Sequence, residues 1–114
     1  MNRIAHVALL ADDPEALGAF YVKTFGMKDV HRGVNGTVYL SDGHVNLAIV
    51  AAKGKPQGIF HFGFQVDDKM TVAKDAVANG GPEGLHSIDV GFVENYIHDP
   101  VGTRVDLSEH GWTV

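Results

Sequence analysis

The chain has 114 residues, no cysteine and a formal net charge of −5, with more histidines than lysines. This length suits a single domain, which we place at residues 1–114, and the lack of cysteine excludes disulfides and thiolate metal sites. No apolar run reaches the roughly 18 residues of a membrane span, and lysine and arginine form no cluster, so we expect neither a membrane nor a nucleic-acid partner. The first residues show no signal-peptide pattern, which favours a cytoplasmic location.

The two halves of the chain resemble each other. Residues 4–13 begin with Ile-Ala-His and end in Asp-Asp, and residues 59–68 begin with Ile-Phe-His and end in the same pair. An internal repeat of this length indicates two similar supersecondary units. We therefore divide the chain into module one, residues 1–52, and module two, residues 57–114, which a Lys-Gly-Lys-Pro segment joins.

Module one is predicted to form a strand, a helix and three further strands. The first strand covers residues 3–11, which are rich in β-forming side chains. The helix is expected to begin after Asp12 or Asp13, with Pro14 in its first turn, and to end at Gly26. Helical spacing predicts that its buried face consists of Leu17, Phe20, Tyr21, Thr24 and Phe25.

Module two repeats this order of elements. Alternation along its first strand separates an apolar face from a polar face that carries His61, Gly63 and Gln65. The apolar face is predicted to consist of Phe60, Phe62, Phe64 and Val66. A helix follows at residues 68–79, with Met70, Ala73 and Val77 as its apolar stripe. Together the two modules predict an α+β fold, in which tandem βαβββ units form a concave, partly closed mixed sheet with the helices outside.

Four polar residues occupy equivalent positions in the two modules. His6 matches His61, and Asn46 matches Asp106. A pseudo-twofold axis between the modules brings these positions around one centre on the concave face. Two imidazoles and one carboxylate form a set that suits Fe(II), Mn or Zn, so we predict His6, His61 and Asp106 as metal ligands. The surrounding pocket is predicted to include Asn46, His44, Gln65 and His98.

The repeated segments resemble the vicinal oxygen chelate superfamily, which includes glyoxalase I, extradiol dioxygenases and bleomycin-binding proteins. The resemblance rests on residues 4–7, on the helix at 13–27, on Phe-His-Phe at 60–62, and on residues 98–107, which are similar to the family's Asp-Pro-x-Gly-x-x-x-Glu ending. It implies paired βαβββ modules, a divalent metal ion, a small-molecule substrate and a homodimer.

Two positions depart from the patterns that this resemblance implies. Asp106 stands where glutamate is usual in the family. Asn46 stands where glyoxalase I has a glutamate that both ligates the metal and moves a proton. Because an amide is not a base, Asn46 argues against glyoxalase chemistry, although the other three positions can still bind metal.

The resemblance favours an extradiol-dioxygenase-like enzyme that uses Fe(II) or Mn(II) to chelate two adjacent oxygens of its substrate. In this hypothesis Tyr96 and His86 donate or relay protons. Zn or Ni would instead suit a glyoxalase-like lyase or isomerase, which needs a base that the sequence does not plainly show. The third hypothesis is a metal-free binding protein of the bleomycin-resistance type, which the histidine pair disfavours.

Overall fold

The computed structural model describes residues 1–114 as eight strands and two helices. In chain order these are β1 (Arg3–Ala11), α1 (Pro14–Phe25), β2 (Lys28–Arg32), β3 (Val38–Ser41), β4 (Asn46–Ala51), β5 (Gly58–Gln65), α2 (Lys69–Ala78), β6 (His86–Asp89), β7 (Val93–His98) and β8 (Arg104–Ser108). Neither helix is long and apolar enough to cross a membrane.

All eight strands belong to one mixed sheet, in the order β2-β3-β4-β1-β5-β8-β7-β6. Each half has the same arrangement, because β1 pairs in parallel with β4 as β5 does with β8. The halves join through the antiparallel pair of β1 and β5, so the strands that carry His6 and His61 lie at the centre. The predicted α+β fold of two βαβββ units is therefore confirmed. The sheet stays open, with β2 and β6 as its edges.

Helix α1 begins and ends where the sequence predicts. The Asp13 side chain accepts a hydrogen bond from the Ala16 amide at 3.0 Å, a cap that stabilises a helix by about 1 kcal/mol. Gly26 ends the helix with a φ of 70°, a left-handed conformation that costs glycine little. The helix covers a buried cluster of Ala11, Val38, Leu40 and Ile49, against which Leu17, Tyr21, Val22, Met27 and Leu47 pack.

The predicted buried face of α1 is wrong for Phe20 and Phe25, and also for Thr24, which is exposed. Phe20 and Phe25 are 52% and 68% exposed. Their rings contact Tyr21, with centroids 5.4 and 5.9 Å away, so the three aromatic side chains pack on one another at the helix surface. Val22, which the periodicity did not select, packs against the core instead.

Helix α2 covers the second half of the sheet more loosely. Asp68 caps it by accepting hydrogen bonds from the Met70 and Thr71 amides. Val72 packs on the buried cluster of Val66, Val105 and Leu107. The predicted apolar stripe is wrong for Met70 and Val77, which are exposed, because the helix turns Val72 rather than those two residues toward the sheet.

An irregularity in β5 changes which face one phenylalanine occupies. Leu9 pairs with Ile59, and Ala8 pairs with His61, so Phe60 is the extra residue between two register positions. Such a bulge rotates the side chain out of strict alternation. Phe62 and Phe64 pack on the α2 side as predicted, whereas Phe60 lies beside His61, with ring centroids 4.5 Å apart. The predicted position of Phe60 on the helix side is therefore wrong.

Candidate metal centre

Three predicted ligands meet at the middle of the sheet. His6 on β1, His61 on β5 and Asp106 on β8 come from neighbouring strands and point to the face opposite the helices. One ligand atom from each lies within 4.8 Å of the others. The three residues are only 3%, 4% and 1% exposed. Charged or ring-nitrogen groups so deeply buried require a partner that satisfies them.

Three buried polar atoms at this centre have no hydrogen bond within the protein. Neither ring nitrogen of His61 has a hydrogen bond, and neither has the Oδ2 atom of Asp106. His61 Nε2 and His6 Nε2 lie 3.0 and 3.9 Å from that same oxygen. Two imidazoles and one carboxylate oxygen that face each other without hydrogen bonds match the donor set of a divalent transition metal. The residues present therefore fit a metal ion.

A hydrogen bond fixes the orientation of His6. Its Nδ1 lies 3.1 Å from the Oδ1 of Asn46, and the Asn46 amide nitrogen donates to the Thr113 carbonyl at 2.9 Å. Since the amide oxygen can only accept, His6 must carry its proton on Nδ1, which leaves the Nε2 lone pair free to face Asp106. Asn46, which we predicted in the pocket, thus lies next to the centre and orients the His6 ring.

A second contact fixes the orientation of Asp106. Arg104 Nε donates to Asp106 Oδ1 at 2.8 Å, while its guanidinium also approaches Glu94 at 3.4 Å. One oxygen of Asp106 is therefore held by arginine, and the other faces the two histidines. This arrangement presents a single carboxylate oxygen to the centre although aspartate is shorter than the glutamate usual in the family.

The electrostatics of the centre follow from its burial. Burial lowers the pKa of His6 to about 4, so the ring is neutral at pH 7 and able to ligate. Burial alone would raise the pKa of Asp106, but His61, Glu94 and Arg104 around its carboxylate outweigh burial and lower that pKa below its ordinary value. Burial and the Asp106 carboxylate raise the pKa of Glu94 to about 7.

The segment after β8 closes one side of the centre. It folds back across the face that carries the predicted metal ligands, and the indole of Trp112 stacks on the His6 ring with centroids 4.5 Å apart and planes 7° apart. Gly63 allows this close approach, because a Cβ there would lie 2.7 Å from the Trp112 ring. No local sequence pattern predicts the contact between Trp112 and His6, because it depends on how the whole chain folds.

Two cavities flank the centre on this face of the sheet. One has a volume of about 380 Å³ and reaches Asn46, Asp106 and Trp112. The other has a volume of about 320 Å³ and reaches His61, Phe60 and Arg104. Both are also lined by Tyr39 and Glu94. These cavities give a small molecule access to the centre from two sides.

Sequence reasoning missed Glu94 and Tyr39. Glu94 lies on β7 with the same parity as Tyr96 and His98, so the alternation of that strand could have placed it on the ligand-bearing face. Besides Asp106, it is the only carboxylate that lines either cavity. Burial raises the pKa of the Tyr39 hydroxyl, and the Glu94 and Asp106 carboxylates add to that shift.

The two predicted proton-transfer residues lie together, farther along the same face. Tyr96 and His86 are register partners on β7 and β6, and their rings stack with centroids 4.9 Å apart. His98 contacts both rings. The Arg104 guanidinium lies 4.2 Å from the Tyr96 ring centroid while its Nε holds Asp106. The structure therefore connects Tyr96 to the centre through Arg104.

The last two predicted pocket residues, His44 and Gln65, lie outside both cavities. His44 is exposed at the turn between β3 and β4, and its carbonyl accepts a hydrogen bond from Arg3. Gln65 accepts a hydrogen bond from the same arginine and lies close to Gly111 in the segment that carries Trp112. Neither residue lines the two cavities beside the centre.

The sequence profile of one family matches almost the whole chain. The glyoxalase/bleomycin resistance protein/dioxygenase superfamily matches residues 3–107. The chain belongs to this superfamily. The name of the superfamily covers several activities, so membership alone does not identify the reaction. No curated protein matches the chain in sequence.

Several solved structures share the fold. A hypothetical protein from Bacillus halodurans C-125 superposes with a TM-score of 0.73 at 14% identity, covering 99% of this chain and 97% of the other. Methylmalonyl-CoA epimerase from Mycobacterium tuberculosis gives 0.72 at 18% identity, covering 91% and 85%. A methylmalonyl-CoA epimerase in complex with methylmalonyl-CoA and NH4+ gives 0.68 at 20% identity, covering 100% and 99%. At these identities the likeness shows the fold and not a common substrate.

Proposed function

We propose that this protein is a metal-dependent enzyme that binds a small oxygenated substrate beside His6, His61 and Asp106. The observation that carries the proposal is the buried group of His61 ring nitrogens and Asp106 Oδ2, none of which has a hydrogen bond. His61 Nε2 and Asp106 Oδ2 lie 3.0 Å apart. A buried polar group without a hydrogen bond costs about 1–3 kcal/mol, and a bound cation would offset that cost. The buried set also disfavours the metal-free binding protein.

The three ligands leave open positions for the substrate. Nitrogen and carboxylate donors in a 2-His-1-carboxylate set favour Fe(II) or Mn(II), and Zn or Ni are further candidates. Bound there, a divalent cation would polarise a substrate oxygen and stabilise negative charge that develops on it. Asn46 and Arg104 would keep the ligand atoms aimed at the centre.

Glu94 favours a lyase or isomerase that moves a proton next to a carbonyl. The sequence alone offered no base for this chemistry, but the structure places the Glu94 carboxylate in both cavities and beside Asp106. From this position Glu94 would take a proton from the carbon next to a substrate carbonyl and return it to the enolate that this removal leaves. Arg104 would keep Glu94 in place, and the Tyr39 hydroxyl would donate a hydrogen bond to the substrate.

An extradiol-dioxygenase-like reaction is the second candidate. It is supported by the three-ligand set with open positions, in which Asn46 is occupied by its contact with His6 and is not needed as a ligand. In this alternative Tyr96 and His86 would relay protons, with Arg104 connecting Tyr96 to the centre. The homodimer and the cytoplasmic location stay predictions, and light scattering of the purified protein tests the first.

Two assays on Mn(II)- or Fe(II)-loaded protein separate these reactions. In deuterium oxide, NMR would follow exchange at the carbon next to the carbonyl in a panel of 2-oxo acids and acyl thioesters. The proposal predicts exchange that Glu94→Gln reduces at least about 100-fold without loss of metal, whereas the exposed control Glu83→Gln leaves it unchanged. Oxygen uptake with catechols would instead assign the dioxygenase. A loaded protein that shows neither reaction would refute enzymatic function.

A further inference from the structure

The cavity on the His61 side has a positively charged rim. Its lining includes Arg104 next to the centre, and Lys53 and Lys55 from the segment between the two modules. In a chain with a net charge of −5, three of the nine lysine and arginine side chains therefore line one cavity of about 320 Å³. Such a local excess of positive charge in an acidic protein points to an anionic ligand.

A tight turn holds the two lysines at this rim. The Lys55 amide donates to the Ala52 carbonyl at 3.1 Å, and both central residues of the turn, Lys53 and Gly54, have positive φ values of 51° and 85°. This is the pattern of a type I′ turn, whose first central position favours asparagine, aspartate or glycine. Lys53 is the only residue other than glycine in the chain with a positive φ. Lys53 thus occupies a backbone conformation that lysine seldom adopts.

The Lys55 ammonium group extends over the cavity. Its Nζ lies 5.6 Å from the centroid of the Phe60 ring, which the bulge in β5 places beside His61. Arg104 contacts the same ring, with its Cζ 5.5 Å from the Phe60 centroid. Phe60 therefore provides an apolar surface between the charged rim and the metal ligands.

Arg104 forms ion pairs within the protein, whereas the two lysines do not. Arg104 is paired with Asp106 and Glu94. Neither Lys53 nor Lys55 has a carboxylate within 4 Å, since the ion pairs of the chain involve other residues. Two ammonium groups without an ion pair thus line this cavity. Its carboxylate, Glu94, is paired with Arg104.

We propose that Lys53 and Lys55 bind a carboxylate of the substrate, so that the enzyme acts on small organic acids whose apolar body lies on Phe60. The inference rests on the proposed function, because it places the reacting oxygens of the same molecule at His6, His61 and Asp106. It adds the substrate class, a monoacid with two adjacent oxygens at the opposite end.

Catechol and protocatechuate form a matched pair of probes for this site. Both offer two adjacent oxygens, and only protocatechuate carries a carboxylate at the other end. Calorimetric titration of anaerobic, Zn(II)-loaded protein avoids turnover of either probe. Lys53 and Lys55 are exposed, and two exposed ion pairs together contribute up to about 2 kcal/mol, so we expect the wild type to prefer protocatechuate about tenfold. The double variant Lys53→Gln/Lys55→Gln should lose that preference and keep its affinity for catechol. Lys28→Gln/Lys74→Gln, which changes the charge equally outside the cavity, should behave as wild type.

The outcomes separate this inference from the proposed function. Equal affinity of the wild type for both probes, or an undiminished preference in the cavity variant, would overturn the carboxylate site while leaving the metal centre intact. Lysine-dependent binding of protocatechuate without any effect of metal would support the site and refute the proposed function. No binding of either probe would refute both. Loss of coenzyme A binding in the cavity variant, with no change for protocatechuate, would show a phosphate site and overturn the assignment.

Discussion

Replacing Asn46 with alanine removes the group that orients the His6 ring. The variant loses the acceptor 3.1 Å from His6 Nδ1 and the donor 2.9 Å from the Thr113 carbonyl. Without the acceptor, the ring is free to carry its proton on either nitrogen and to rotate away from Asp106. Loss of such an outer partner of a ligand histidine lowers metal affinity by about 10–100-fold. Leaving the buried Nδ1 unpaired should also lower the free energy of unfolding of the metal-free protein by about 1–3 kcal/mol.

Competition with a chromophoric chelator measures the change in Zn(II) affinity, and urea denaturation measures the change in stability. Asn46→Asp is the informative second variant, since its carboxylate still accepts from His6 Nδ1 and it should therefore bind Zn(II) more tightly than Asn46→Ala. Asn95→Ala is the matched control, because Asn95 is also buried but forms no side-chain hydrogen bond with His6, His61 or Asp106. An Asn46→Ala protein that binds Zn(II) within about twofold of wild type would refute this account of ring orientation.

The centre yields three further predictions. In metal-free protein, His6 destabilises the fold as pH falls from 6.5 toward its lowered pKa of about 4, while Glu94 destabilises it as pH rises from 4.5 toward its raised pKa of about 7. The two pH dependences of stability oppose each other, and Glu94→Gln removes one of them. The free energy of unfolding of this variant should therefore rise by about 3 kcal/mol as pH increases from 4 to 6.5. A flat profile in urea titrations would contradict the assignment. Gly63→Ala should weaken metal binding at least about tenfold by calorimetry, because its Cβ would meet Trp112 at 2.7 Å and Asp106 at 3.0 Å; unchanged binding would show that this packing is not needed. Co(II) should quench the fluorescence of Trp112, the only tryptophan, through its stacking on His6, whereas unchanged emission at saturating metal would place the ion elsewhere.

The internal repeat made the fold predictable, and with it the close approach of His6, His61 and Asp106. Equivalent positions of two modules specify equivalent places around a pseudo-twofold axis, so His6 and His61 could be paired although they lie far apart in the chain. Strand alternation then selected the face that bears Asp106. Neither argument depends on knowing how the side chains pack.

Tertiary contacts determined what the sequence could not predict. The position of Phe60 depends on a bulge, which shifts one residue without a local sequence signal. Phe20 and Leu17 both follow the helical period, but only Leu17 packs against the core and Phe20 is exposed. The face that α1 turns toward the sheet is therefore narrower than the face that the period predicts. Trp112 reaches His6 because the chain folds back after β8, and alternation cannot extend past the end of a strand.

Metal content is the measurement that tests the central claim most directly. Plasma mass spectrometry should be applied to protein purified anaerobically without a histidine tag, as wild type, His61→Ala and His44→Ala. His44 is exposed and outside the centre, so it controls for the loss of one histidine. We predict near-stoichiometric divalent metal in the wild type and in His44→Ala, and its loss in His61→Ala. A wild type that neither holds metal nor takes it up on reconstitution, or a His61→Ala protein with equal content, would contradict a metal centre at His6, His61 and Asp106.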